Sequence, residues 1–110
     1  MATDHHSVTT AAVVLDIGGD IGAAIVTASR NLEGRELEIR PVGSEWDGHH
    51  VAFHLRETAA GPTTAAVFPD LARGDWEVRL RGVKDSGPVP LRVVGGQVTT
   101  VPFPSDSWAR

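Results

Sequence analysis

Cysteine is absent from this chain of 110 residues. A disulfide framework, a thiolate metal site and a cysteine nucleophile are therefore excluded. The length is typical of a single domain and is sufficient to bury one hydrophobic core without a cross-link. Any chemistry of this protein has to come from other side chains.

Clusters of positive charge are also missing. The 10 lysine and arginine residues are dispersed along the chain, and the formal net charge is −4 at pH 7. Binding to nucleic acid requires a basic patch that neutralises phosphates. We therefore expect no nucleic-acid partner.

A long uninterrupted apolar run is the third absence. The most apolar window, residues 11 to 28, contains Asp16 and Asp20, and an aspartate at the centre of a bilayer costs roughly 2.5 to 3.5 kcal/mol. The first ten residues, MATDHHSVTT, lack the positive charge and the apolar core of a secretory signal. We therefore expect no membrane span and a cytoplasmic location.

Alternation of apolar and polar residues is the main pattern that the sequence does contain. In DWEVRLR, residues 75 to 81, apolar side chains interleave with charged ones, as expected for a strand with one solvated face. The inward positions are Trp76, Val78 and Leu80. The same period recurs in ELEIR, residues 36 to 40, and in VPLRV, residues 89 to 93.

These strands and their turns predict an all-β fold. Glycine pairs at Gly18-Gly19 and Gly95-Gly96 predict two hairpins, because glycine tolerates the positive φ angles of tight turns. The short spacing of the strands is typical of an antiparallel β-sandwich of seven or eight strands. Further strands are predicted near residues 21 to 28, 50 to 57, 63 to 68 and 97 to 103.

The domain is predicted to span residues 11 to 104, between a flexible N-terminal segment, residues 1 to 10, and a C-terminal tail, residues 105 to 110. No long helical period competes with the strands. Only PDLARG, residues 69 to 74, is predicted to form one short helical turn.

Two C-terminal segments carry a family resemblance. AVFPDLARGDWEVRL, residues 66 to 80, resembles a motif of prealbumin-like modules, the collagen-adhesin B-type and carboxypeptidase-regulatory-like repeats. VPLRVVGGQVTTVPF, residues 89 to 103, is similar to their closing hairpin. The resemblance implies an antiparallel sandwich but little about activity, because such modules serve as spacers, adhesins, carbohydrate binders and docking units. Together with VVLDIGGDIGA, these segments also resemble a set of short actinobacterial proteins.

Three histidines, His49, His50 and His54, lie close together in the sequence. On a helix, His50 and His54 would lie one turn apart and could bind one metal ion. On a strand they would be about 13 Å apart at roughly 3.3 Å per residue, too far to share an ion. The period of two and the flanking Gly48 and Gly61-Pro62 favour the strand.

We therefore predict solvated strand histidines, with His50 and His54 on one face and His49 near the apolar side. The alternative is a zinc or copper site formed by His49, His50 and His54 together with ligands from other strands.

Two tryptophans, Trp46 in the loop GSEWDGHH and Trp108 in the tail, are candidate binding residues. A tryptophan in a loop can stack on a sugar or anchor a protein partner, because it offers a large flat surface. Trp46 is predicted instead to cap the end of the core, and Trp108 to fold back onto the sheet edge.

Charged residues on the predicted solvent faces form a separate pattern. Arginines and glutamates occupy neighbouring outward positions, which predicts a cross-strand charge ladder that needs no ligand. The residues concerned are Arg40, Arg56, Arg79, Arg81, Glu36, Glu38, Glu57 and Glu77.

No catalytic constellation is evident in the sequence. Ser44, Asp47, His49 and His50 are neighbours, but nothing places a carboxylate-held base against a hydroxyl. We therefore predict a non-catalytic module without a cofactor, which binds another protein or self-associates through a sheet edge or an apolar patch. The alternatives are a metal-binding module that uses the histidines and a carbohydrate-binding module that uses Trp46.

Overall fold

The computed structural model of the protein describes residues 7 to 10, 13 to 83 and 86 to 104. Its strands are β1 (Ser7–Thr10), β2 (Val13–Asp16), β3 (Ile21–Ala28), β4 (Glu36–Pro41), β5 (His50–Ala52), β6 (His54–Thr58), β7 (Gly61–Ala72), β8 (Gly74–Leu80), β9 (Val89–Val93) and β10 (Val98–Pro102). A single 3-10 turn, Arg30–Leu32, precedes β4. Within the described residues, no helix has the length and apolarity needed to cross a membrane.

Two four-stranded sheets form a β-sandwich, as predicted. Sheet I has the order β10-β3-β7-β6, and sheet II has the order β5-β4-β8-β9. Pairing is antiparallel except between β10 and β3, which run parallel. The eight strands of the two sheets agree with the predicted seven or eight, and β1 and β2 form a separate two-stranded sheet. Residues 7 to 10, which belong to the N-terminal segment predicted to be flexible, form β1.

The core lies between the two sheets and is formed mainly by alternate residues of β3, β4, β7, β8 and β9. On β8, Val78 and Leu80 are fully buried, whereas Glu77 and Arg79 point outward and pair with β4. Burial of each large apolar side chain stabilises the fold by roughly 1.5 to 3 kcal/mol. The inward facing of Val78 and Leu80 is as predicted, Trp76 is half-buried and packs against the core, and Leu37 on β4 is buried as predicted.

Residues 50 to 57 are extended as predicted, but they form two strands and not one, because the chain passes from sheet II to sheet I at Phe53. This residue is fully buried, its N–H donates to the Arg35 carbonyl at 2.9 Å, and its carbonyl accepts the Gly34 N–H at 2.8 Å. The two segments therefore become β5 and β6 in different sheets. Leu55, predicted to point inward, is 39% exposed because β6 is an edge strand.

The predicted helical turn over residues 69 to 74 is also wrong. Residues 61 to 72 form the continuous strand β7, which has a register shift against β3 between Gly22 and Ala24. The shift leaves an extra residue of β7 around Pro69, and a bulge is a position where a strand accepts proline, which has no N–H to donate. Leu71 can then return to the core, where it is buried.

The two glycine turns meet at one end of the sandwich. Gly18 and Ile21 exchange two backbone hydrogen bonds at 2.9 Å around Gly19, which has a φ of 56°. A turn is therefore present at the first glycine pair, but the predicted hairpin is wrong, because β2 pairs with β1 and β3 pairs with β7 and β10. The second predicted hairpin is wrong: Gly95 and Gly96 lie where the chain leaves β9 in sheet II and enters β10 in sheet I. An added Cβ at Gly95 would lie 2.1 Å from the Gly19 carbonyl oxygen.

Candidate functional site

The outer face of sheet II carries a ladder of ion pairs. Arg40 lies 2.6 Å from Glu77, Arg79 lies 2.9 Å from Glu38, and Arg81 lies 3.1 Å from Glu36. The first two pairs join β4 to β8, and the third joins β4 to Arg81, the residue that follows β8. Such partly exposed pairs contribute about 1 kcal/mol or less each. The predicted charge ladder is confirmed for these three arginines, and it accounts for them without a ligand.

Trp46 lies on this charged face and does not cap the end of the core. The guanidinium carbons of Arg40 and Arg79 are 4.2 and 4.1 Å from the centre of its ring, within the range of cation–π attraction. Arg40 also donates through Nη1 to the Ser44 carbonyl at 2.8 Å, which holds the loop on the sheet. A sugar that stacked on Trp46 would compete with these guanidinium groups. Trp108 lies outside the described residues.

The three histidines are distributed over two sheets. His50, on β5 in sheet II, has a ring nitrogen 3.1 Å from Arg81 Nη1 and Nε2 3.6 Å from Glu36. His54, on β6 in sheet I, is exposed. His49 precedes β5 and contacts the Phe68 ring edge-on at 5.8 Å. Among the residues that the structure describes, no three His, Cys, Asp or Glu side chains could hold a metal ion.

Replacement of His50 and His54 by glutamine should therefore give additive changes in the free energy of unfolding. His54→Gln should change the free energy of unfolding by about 0.5 kcal/mol or less, as an ordinary surface substitution does. His50→Gln should change it by about 1 kcal/mol, because the His50 ring contacts Arg81. Thermal denaturation of both single variants and the double variant checks this, with and without added zinc. Strong coupling that a chelator abolishes would instead support a shared metal ion.

Polar groups of the loop between β4 and β5 form hydrogen bonds with the backbone of the same loop. Asp47 Oδ1 accepts the His49 N–H at 3.0 Å, and His50 Nδ1 lies 2.7 Å from the Gly48 carbonyl oxygen. The Ser44 N–H donates to the Pro41 carbonyl at 3.0 Å. Of the neighbours Ser44, Asp47, His49 and His50, the side chains of Asp47 and His50 thus contact the backbone of this loop, which orders it.

The outer face of sheet I carries a groove that the sequence did not indicate. We call it the threonine groove; its floor includes Ile25, Ala65 and Val67, its walls include Thr27, Thr63 and Arg56, and its volume is about 370 Å³. The register places these residues together by pairing Ile25 with Val67 and Thr27 with Ala65, while Arg56 faces Thr63. The groove is mostly apolar, unlike the charged face of sheet II.

Arg56 departs from the predicted charge ladder and lies in the wall of the threonine groove. Its Nε donates to the Ala65 carbonyl at 3.1 Å, so the side chain crosses from β6 to β7. Burial lowers the pKa of the Arg56 guanidinium, because the apolar surroundings disfavour the charged form.

A second cleft, of about 480 Å³, lies at the glycine end of the sandwich and is lined in part by Arg73 and Arg92. Both arginines have acidic neighbours: Arg73 Nε is 3.6 Å from Asp20, and Arg92 Nε is 3.8 Å from Asp75. All four side chains are largely exposed. The charges of this cleft are balanced within the chain, so it is a weaker ligand site than the threonine groove.

The β6 strand is the most open of the sheet edges. Every residue of β6 is exposed except Arg56, which is half-buried. Among the strands that the structure describes, β6 has a neighbour on one side only, β7. Its other side therefore presents backbone groups to solvent.

Comparison of the chain with protein-family models, curated proteins and solved structures finds no match.

Proposed function

We propose that this protein is a non-catalytic β-sandwich module that binds an extended segment of another protein chain, or of a second copy, by strand addition at β6. In this mode of recognition, main-chain hydrogen bonds at a sheet edge supply affinity. The observation that carries the proposal is the open edge of β6.

The other three edge strands, β5, β9 and β10, have features that hinder pairing with another chain. β5 has only three residues. β9 contains Pro90, and β10 ends at Pro102. β6, by contrast, has five residues and no proline, and its Leu55 adds an exposed apolar side chain.

The backbone groups that β6 offers follow from its register with β7. Glu57 faces Pro62, which has no N–H, so this is a non-hydrogen-bonded pair. Because such pairs alternate with hydrogen-bonded ones, Leu55 and Glu57 direct their N–H and C=O groups away from β7. A partner strand would pair with these two residues.

A docking role also agrees with the prealbumin-like resemblance of residues 66 to 80, since docking is one of the uses of such modules. We keep that family and a cytoplasmic location as parts of the proposal. The partner is a protein segment, not nucleic acid or membrane, because the chain is acidic and its arginines are paired or dispersed.

Glu57→Pro should weaken association about tenfold or more, because it removes an outward N–H and leaves the ladder with β7 intact. Sedimentation velocity over a concentration series measures self-association. Quantitative affinity capture with the immobilised variants measures binding of another protein. Circular dichroism of each variant verifies the β fold.

Leu55→Lys and Val98→Lys form a matched pair for the same measurement, since Leu55 is 39% and Val98 is 37% exposed on opposite edges of sheet I. Leu55→Lys should weaken association, whereas Val98→Lys should leave it unchanged. Equal effects of the two lysines, or association that survives Glu57→Pro, would refute strand addition at β6.

A further inference from the structure

The threonine groove has the features of a small-molecule site and not of an ordinary sheet surface. Ligand pockets are typically about 300 to 1,000 Å³ in volume and mostly apolar, with a few polar groups that fix orientation. The groove has about 370 Å³, an apolar floor of Ile25, Ala65 and Val67, and hydroxyl groups from Thr27 and Thr63 in its walls.

Arg56 gives the groove a defined chemical preference. Of the described residues that line the groove, it is the one with a formal charge. A guanidinium has five N–H donors in a planar fork that matches a carboxylate, so it can hold a ligand oxygen in addition to the bonds that it makes within the chain. Since burial disfavours its charged form, an anion beside it would be favoured over a neutral or cationic group.

We infer that the threonine groove binds a small amphiphilic anion, an alkyl chain that carries a carboxylate. The alkyl chain lies over Ile25 and the methyl groups of Thr27 and Thr63, above the buried Ala65 and Val67, and the carboxylate contacts Arg56. This site is distinct from the β6 edge, because strand addition extends the sheet in its plane and the groove lies on its face. The two functions can therefore fail independently.

Octanoate, octan-1-ol and octylammonium are probes that share one chain and differ in the head group. We expect octanoate to shift the backbone amide resonances of Ile25, Ala65 and Val67 in a nuclear magnetic resonance titration of the full chain. Octanoate should bind about tenfold more tightly than octan-1-ol, the size expected of a charge-assisted hydrogen bond. Octylammonium should bind more weakly than both.

Arg56→Gln should remove the preference for octanoate over octan-1-ol, while Arg92→Gln, which deletes an exposed arginine from sheet II, should leave it unchanged. Thr27→Phe should abolish binding of both probes, because it fills the groove with a residue that strands accept well. Thermal melting verifies that each variant is folded, and Arg56→Gln alone decides the head-group preference if Thr27→Phe does not fold.

Three outcomes would overturn the inference. The first is the absence of octanoate binding at millimolar concentration. The second is equal affinity for octanoate and octan-1-ol in the native chain. The third is octanoate binding that Arg56→Gln and Arg92→Gln weaken equally, with resonance shifts at the Arg73 and Arg92 cleft instead of the groove. None of these depends on whether β6 pairs with another strand.

Discussion

Gly95→Ala should lower the free energy of unfolding by about 3 kcal/mol, the upper end of the usual range for overpacking. The added Cβ would lie 2.1 Å from the Gly19 carbonyl oxygen and 3.0 Å from the Asp20 Cα. Both are backbone atoms, so no side chain can rotate away and the two turns have to separate. Chemical denaturation followed by circular dichroism measures the change.

Gly87→Ala is the matched control, because nothing lies within 4 Å of the added Cβ at Gly87. We expect this variant to remain within about 0.5 kcal/mol of the native chain. A Gly95→Ala variant as stable as Gly87→Ala would mean that the two glycine turns do not touch in solution.

Leu80→Asp should lower the free energy of unfolding by about 5 kcal/mol or more. Leu80 is fully buried between the sheets, where loss of a leucine side chain alone costs about 2 to 5 kcal/mol, and the new carboxylate would be desolvated among apolar groups. That loss is comparable to the whole stability of many domains of this size. We expect no cooperative thermal transition above room temperature.

Arg81→Asp, one residue further along the chain, should be mild. Arg81 points outward, its side chain is 45% exposed, and its main partner is Glu36 at 3.1 Å. Loss of this pair and the new repulsion between carboxylates should cost about 1 kcal/mol. Equal melting temperatures for Leu80→Asp and Arg81→Asp would contradict the orientation of β8.

The sandwich and the facing of its regular strands could be predicted because alternation reports burial directly. Leu37, Val78 and Leu80 follow the period of two, and all are buried. The passage at Phe53 could not be predicted, because the alternation of residues 51 to 55 continues through it with no glycine or proline to mark a break. Only the long-range bonds of Phe53 to Gly34 and Arg35 reveal the change of sheet.

The sequence predicted the candidate sites less completely than it predicted the fold. The charge ladder follows from outward positions on two strands, so it was predicted. The threonine groove depends on the pairing of Ile25 with Val67 and of Arg56 with Thr63, and no local pattern specifies which strands become neighbours. Arg56 occupies an outward position in the same alternating pattern as the ladder arginines, but β6 lies in sheet I and β4 and β8 lie in sheet II.

The parallel pairing of β10 with β3 has a kinetic consequence. Val98 pairs with Ala23, and Pro102 pairs with Thr27, so one long strand of sheet I gains its second neighbour from the far end of the described chain. Closure of such a large loop costs entropy before the contact stabilises anything, and non-local β topologies accordingly fold in milliseconds to seconds. Until β10 docks, β3 is an additional unpaired edge. In a newly synthesised chain this edge can pair with the strands of other chains.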